Sequence, residues 1–198
     1  MNILTEYAFA EMTVKKSRFL AEIFPVKTQT EAREILKKQK RHYKNASHVV
    51  HAFVLGETGG MLGCSDDGEP SGTAGRPALE VLKGGNITNI VLTVTRIFGG
   101  ILLGTGGLVK AYSDAAKAVL EKAETEPFIT KNGFNLFCSY SEYELFKRNF
   151  GLFFAEIETV DFGENIKITG NVPSDKKDAF TAFIENAVKG SGVLYWHV

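Results

Sequence analysis

The chain has 198 residues, 44% of them hydrophobic and 23% charged, a balance that supports folding and excludes an intrinsically disordered protein. Lys plus Arg equals Asp plus Glu at 23 each, so no overall field draws the molecule to nucleic acid or to an anionic membrane, and any such attraction is local. Two cysteines only, Cys64 and Cys138, exclude a disulfide framework or a zinc pattern and point to reduced thiols in a reducing compartment. Glu6, Glu11, Lys15, Lys16 and Arg18 interrupt the first twenty residues, leaving no signal-peptide core. Apolar runs such as 90–94 are far too short to span a bilayer, so the expectation is a soluble cytoplasmic protein with no membrane partner.

In chain order, Ser17 to Val26 reads as a strand entering a helix from Thr30 to about Lys44. Ala32, Ile35, Leu36 and Tyr43 share one helical face, and Arg33, Lys37, Lys38, Lys40, Arg41 and Lys44 form a basic outer one. Between Lys27 and His48 seven Lys or Arg stand against Glu31 and Glu34, a local excess of five that the neutral total hides. Such a face is either a solvated surface or a nucleic-acid footprint. His48 to Leu55 reads as a buried strand, and the glycine-rich stretch from Gly56 to Pro77 as a long loop, of the kind that is usually functional or disordered. Ala78 to Lys83 suits a short helix, Ile90 to Ile97 a second buried strand, and Gly106 to Ala123 an amphipathic helix.

The pattern restarts after Glu124-Thr-Glu-Pro127, the best candidate for a linker, giving domains of 1–127 and 128–198. Phe134 to Tyr140 is expected as a strand, followed by a helix to about Asn149 capped by a Ser141 and Glu144 box. Strands Phe153 to Val160 and Ile166 to Val172 then meet around Gly163, the second with Ile166, Ile168 and Val172 on one face. Ser174 is expected to cap a helix to Lys189 closed by Gly190, before a last strand from Leu194 to Val198. This βαββαβ order is the ferredoxin-like arrangement.

Two glycine-rich segments carry the chemistry. Ser65 to Pro77 places Asp66, Asp67 and Glu69 around a glycine, with Thr73 and Arg76 following. Oxygen-rich turns of this kind hold magnesium or calcium, but the spacing is not that of an EF-hand, and the plainer reading is an Asp-Gly turn satisfying its own backbone. Arg96 to Tyr112 runs from a strand end through Gly99, Gly100, Gly104, Gly106 and Gly107 into a helix, with Arg96 and Lys110 adding charge. Exposed amides at such a start favour a phosphate-like anion, although neither a Walker loop nor a Rossmann fingerprint is present, and tight backbone packing is the alternative. His48 and His51 are an odd number apart on a strand, so they point to opposite faces and cannot ligate one metal. A triad of Ser71 or Thr73 with His48 lacks a nucleophile elbow. Neither segment calls for a cofactor.

Taken together, the His48 strand, Ser65-Asp-Asp-Gly-Glu-Pro70, Gly72-Thr-Ala-Gly75, Pro77, Arg96 with Phe98-Gly-Gly100, Gly104, Gly106-Gly-Leu108 and Ala111-Tyr112 resemble the signature of the YigZ/IMPACT family. Ile97, Lys110 and Val50 depart from it, standing where an aromatic residue, arginine and cysteine are usual, the last weakening any thiol-based mechanism. The resemblance implies an α+β protein of two domains. The first would have the left-handed βαβ topology of a small-subunit ribosomal protein domain and of domain IV of elongation factor G. The second would be a ferredoxin-like βαββαβ domain similar to domain V of that factor. It also implies a translation-associated role, with RNA, ribosome or a translation factor as partner, since eukaryotic relatives bind a ribosome-associated activator of a starvation-responsive kinase. No established catalysis comes with it; the alternative from the residues is a metal-assisted hydrolase or phosphate-ligand enzyme using Asp66, Asp67 and Glu69.

Overall fold

The computed structural model describes residues 1–187 and 193–197, in two compact units, Met1–Phe128 and Ile129–Val198. In the first, strands β1 (Asn2–Leu4), β2 (Ala8–Val14) and β3 (Ser17–Pro25) lead into helix α1 (Gln29–His42). Then come β4 (His48–Leu55), β5 (Met61–Ser65), α2 (Gly75–Gly84), β6 (Ile87–Thr88), β7 (Ile90–Ile97), α3 (Gly104–Leu120) and β8 (Thr125–Pro127). The main sheet is antiparallel throughout in the order β2-β3-β7-β4-β5, so both βαβ crossovers skip a strand: β3-α1-β4 passes over β7, and β5-α2-β7 over β4.

The central strands carry two faces at period two. Val50, Ala52, Val54, Ile90, Leu92 and Val94 meet α2 and α3, where Ala78, Leu82, Ala111, Ala115, Ala116 and Val119 complete the larger core. Alanines on α3 let that helix lie close to the sheet. On the opposite face Phe53, Leu55 and Val91 join Val26 and Ala32 of α1 in a smaller core. Beside it lies a buried polar patch in which Glu22 accepts from Tyr7 (3.0 Å) and from the Gln39 amide (3.1 Å). Thr28, rather than a residue nearer Thr30, caps α1 by accepting from the Glu31 amide at 3.2 Å.

Three features depart from the sequence expectation. The stretch 56–77 is not one long loop: its middle pairs with β4 as the hairpin strand β5, and α2 begins already at Gly75. That early start is possible because Gly75 lies against Ser65, whose backbone would be 2.7 Å from any Cβ there. Residues 124–127 are not a free linker, since Thr125–Pro127 pairs antiparallel with β1, which itself pairs parallel with β6. The strands Asn2–Leu4 and Ala8–Val14 were not expected: three residues are too few to carry a period, and in the second the core-facing Ala8, Ala10, Met12 and Val14 are mostly small while the outward face of Glu11 and Thr13 also carries Phe9.

The second unit runs β9 (Lys131–Cys138), α4 (Tyr140–Asn149), a 3-10 turn at Phe150–Phe153, β10 (Glu156–Phe162), β11 (Ile166–Pro173), a 3-10 turn at Ser174–Lys176, α5 (Lys177–Ala187) and β12 (Val193–Trp196). Its antiparallel order β10-β11-β9-β12 is that of a ferredoxin-like sheet. Phe134, Phe146, Phe150 and Phe180 fill its core with Ile166, Ile168 and Val172. The segment from Phe153 is turn before it is strand, because Phe150 and Phe153 reach that core from a 3-10 turn that Phe154 closes at φ 51°. Ser174 does not cap a helix; its hydroxyl donates to the Thr130 carbonyl at 3.0 Å. Gly190, Lys189 and Val198, expected to end the last helix and strand, lie outside the described residues.

The capping box is one frame earlier than expected. The tract Ser139-Tyr-Ser-Glu-Tyr-Glu144 carries the box pattern twice, and β9 ends at Cys138, so the first hydroxyl past the strand takes the cap position. Ser139 accepts from the Glu142 amide while the Glu142 carboxylate accepts from the Ser139 amide at 2.8 Å. Ser139→Ala is expected to destabilise the protein by about 1 kcal/mol, and Ser141→Ala to stay within about 0.5 kcal/mol of wild type; urea unfolding of both separates the two frames.

Candidate functional site

The carboxylates of the first segment do not converge; each leaves for a different partner. Asp66 accepts from the amides of Gly72 (2.8 Å), Ala74 (3.0 Å) and Gly75 (2.8 Å), so it occupies the N-terminal pole of α2. Partial burial works against its charge, but the three amides outweigh it and hold the carboxyl below its ordinary range. Asp67, in the left-handed region at φ 46°, turns its side chain back to accept from the Val49 amide at 2.7 Å and to pair with Lys40. Its carbonyl accepts from Nδ1 of His48 at 2.9 Å. A carbonyl only accepts, so Nδ1 carries the proton and Nε2 is the nitrogen left to face Glu69.

Glu69 is the buried centre. Its side chain is 2% exposed, and Oε1 accepts from Arg96 Nη1 at 2.7 Å and from the Tyr112 hydroxyl at 2.8 Å, with His48 Nε2 standing 3.8 Å from Oε2. Arg96 extends the alternation of Ile90, Leu92 and Val94 on β7, so it enters the larger core from the strand end and needs an opposite charge there. Its guanidinium lies between the Phe19 and Phe98 rings, 5.7 and 5.4 Å from their centroids. Burial, reinforced by the bond to Glu69, pushes the Tyr112 hydroxyl far above its ordinary value, so it stays a donor. Across the sheet on the α1 face, burial and then Lys40 hold the His51 imidazole below its usual range, with Asp67 partly offsetting them.

The two glycine-rich segments meet in one cavity of about 510 Å³, whose wall includes His48, Gly68, Glu69, Arg96, Phe98 and Thr105. Of the residues singled out by sequence, His48, Glu69, Arg96 and Gly104 line it. Gly99 does not: it packs on the chain at Lys16, whose backbone carbon would stand 2.0 Å from a Cβ there, and its amide donates to Ser17. Gly100 and Gly106 face open space, and Gly107 abuts Leu103. Thr73 donates to the Pro70 carbonyl at 2.6 Å within its own turn. Arg76 lines a separate groove of about 820 Å³ between α2 and α3, and Lys110 pairs with Asp114 on the outer surface of α3. Leu102 and Thr105 were not picked out from sequence, and Phe98 and Tyr112 entered only as part of the family signature, with no role assigned; the signal available was Arg96 itself, a charge at a core position. Among the described residues no group of three or more His, Cys, Asp or Glu is placed to hold a metal ion.

Arg33, Lys37, Lys38, Lys40 and Arg41 on α1, and Lys44 in the turn just past its end, are all exposed, and among the described residues only Lys40 of these six is ion-paired. No described helix is long and apolar enough to cross a membrane.

Fold and site together define a two-domain α+β protein, in which an acid-base-aromatic cluster closes one end of the N-terminal sheet and a ferredoxin-like domain follows. Residues 15–120 match the Impact N-terminal domain and residues 136–191 a domain of unknown function, DUF1949. The chain belongs to the IMPACT family. An IMPACT family member of Haemophilus influenzae is 37% identical over 93% of this chain and 89% of its own length. The member YvyE of Bacillus subtilis is 34% identical over 91% and 83%. A crystal structure of a hypothetical protein, 30% identical, superposes with a TM-score of 0.70 over 98% of this chain and 95% of that one.

Removing Glu69 strands a buried guanidinium. Glu69→Ala is expected to cost about 3–5 kcal/mol, against about 1 kcal/mol for Tyr112→Phe, which deletes one hydrogen bond; chemical denaturation at neutral pH compares them. Asp66 has its native carboxyl held low, so the native state binds fewer protons than the unfolded one, and the stability this gives is present above roughly pH 4 and lost as the pH falls. Asp66→Ala should therefore be less stable than wild type at neutral pH, by about 1–3 kcal/mol, with the gap narrowing in denaturation curves taken below pH 4.

Proposed function

We propose that the protein is a translation-associated regulator whose N-terminal domain contacts RNA, the ribosome or a translation factor, and that it works in the cytoplasm. The observation that carries this reading is the outer face of α1 and the turn after it, where Arg33, Lys37, Lys38 and Arg41, and then Lys44, are exposed and make no ion pair among the described residues. Cations without internal partners are available to phosphates, and the neutral total keeps the rest of the surface from adding nonspecific attraction. Membership of the IMPACT family supports the same reading, because the resemblance to that family implies a translation-associated role. The metal-assisted alternative loses its ligand set, since Asp66, Asp67 and Glu69 are each bound to protein donors in different directions.

A handful of phosphate contacts gives modest affinity and a shallow salt slope, roughly one unit of log K per unit of log salt for each contact. Wild-type protein is expected to sediment with ribosomes at low salt and to be released as salt rises. Lys37/Lys38/Arg41→Glu should lower the bound fraction by roughly tenfold or more and flatten the salt dependence. Equal absence of both proteins from the ribosomal pellet at low salt would contradict the proposal.

A further inference from the structure

The cavity between the two glycine-rich segments has a polar end and an apolar mouth that the fold itself does not use up. At the polar end α3 begins at Gly104 with no side-chain cap and no acidic residue in its first turn, so the leading amides of a 17-residue helix have no protein acceptor among the described side chains. Beside it Arg96, only 5% exposed, keeps its Nε without a hydrogen-bond partner among the described residues, although Nη1 is bound to Glu69. A buried donor left unsatisfied costs free energy unless a ligand or water completes it. His48 adds a third polar group, its ring oriented by the Asp67 carbonyl.

The mouth is of different chemistry. Phe98 is 45% exposed and Leu102 is 82% exposed, both lining the cavity. Phe98 has Arg96 on one side, its guanidinium carbon 5.4 Å from the ring centroid, and its exposed ring surface offers a planar group a place to pack. A volume of about 510 Å³ suits one small molecule rather than a peptide segment.

We propose that this cavity binds a small ligand made of a phosphate joined to a body that presents a planar aromatic face, the chemistry of a nucleoside monophosphate. The phosphate accepts from the first amides of α3 and from Arg96, and the planar face lies against Phe98 and Leu102. The site is on the sheet face opposite α1 and is separate from the basic surface invoked for ribosome contact, so the two stand or fall independently.

Calorimetric titration of the full chain with adenosine 5′-monophosphate, adenosine and inorganic phosphate, at matched ionic strength and without ribosomes, tests this. The nucleotide should bind at least about tenfold more tightly than either fragment, because only it engages both ends. Thr105→Glu places a carboxylate in the first turn of α3, where it favours the helix. It should leave unliganded melting unchanged or raised while weakening nucleotide binding by about tenfold or more. Phe98→Ala, at an exposed position, should weaken the nucleotide by roughly tenfold and leave phosphate binding as it was. No binding of nucleotide or phosphate by wild type at millimolar concentration, nucleotide binding no tighter than phosphate, or wild-type binding by both variants would each overturn the proposal.

Discussion

The carboxylate of Glu69, bonded to Arg96 and Tyr112 inside an otherwise apolar core, is the interaction on which the N-terminal domain depends. It joins three parts of the chain distant in sequence: the turn after Gly68, the end of β7 and the middle of α3. None of the three can shift without separating a charge from its partner in a water-poor setting, which is worth several kcal/mol. The cluster therefore ties α3 to the sheet through Tyr112. Geometry at the cavity follows from this one bond network rather than from the glycines that drew notice to the region. The glycines serve the network: Gly99 lets the turn after β7 press onto Lys16, and Gly75 lets α2 press onto Ser65.

How much of this could be read from sequence depends on where the signal was local. Strands His48–Leu55 and Ile90–Ile97 were legible to the residue because central strands covered on both faces are continuous apolar runs bounded by polar turns. The ferredoxin-like order of the second unit was legible for a similar reason, its segments being short and strongly patterned. The β1 and β8 strands were not, since three residues carry no period and their pairing spans more than a hundred positions. The cap of α4 was misplaced because two overlapping frames satisfy the same rule and only the end of β9 decides between them. At the site, sequence located both segments and left open whether their carboxylates serve a metal or their own turn. Asp66, Asp67 and Glu69 look like one ligand set on a line of text, whereas the turn sends them to a helix pole, a basic helix and a buried arginine. The overlooked clue was Arg96, a charge in phase with Ile90, Leu92 and Val94.

The two faces of the N-terminal sheet are built differently. Under α2 and α3 the packing is apolar and closed, with its buried charges confined to the Glu69 cluster. Under α1 the apolar contact is small, and Glu22, Gln39, Thr93 and Thr95 are buried beside it, each with a side-chain oxygen that finds no partner among the described residues. A helix held by a small core over an incompletely satisfied polar patch has a lower local opening energy than one seated on a large apolar surface. The element bearing the exposed cations is thus one whose detachment costs less than that of α2 or α3, which suits a surface that adjusts to a partner.

Pairing of Asn2–Leu4 with Thr125–Pro127 brings the chain's entry into the first unit beside its exit, with Asn2 opposite Pro127. A unit whose two ends are stitched together forms a closed circuit, and its ends tolerate being rejoined elsewhere, as in circular permutation or insertion into a host chain. The same stitch has a mechanical weakness. Tension applied through residues 1 and 128 loads the β1–β8 ladder from one end, so its hydrogen bonds open in succession like a zipper instead of resisting together in shear. An unfolding motor pulling on this unit would meet its least resistance at the first step.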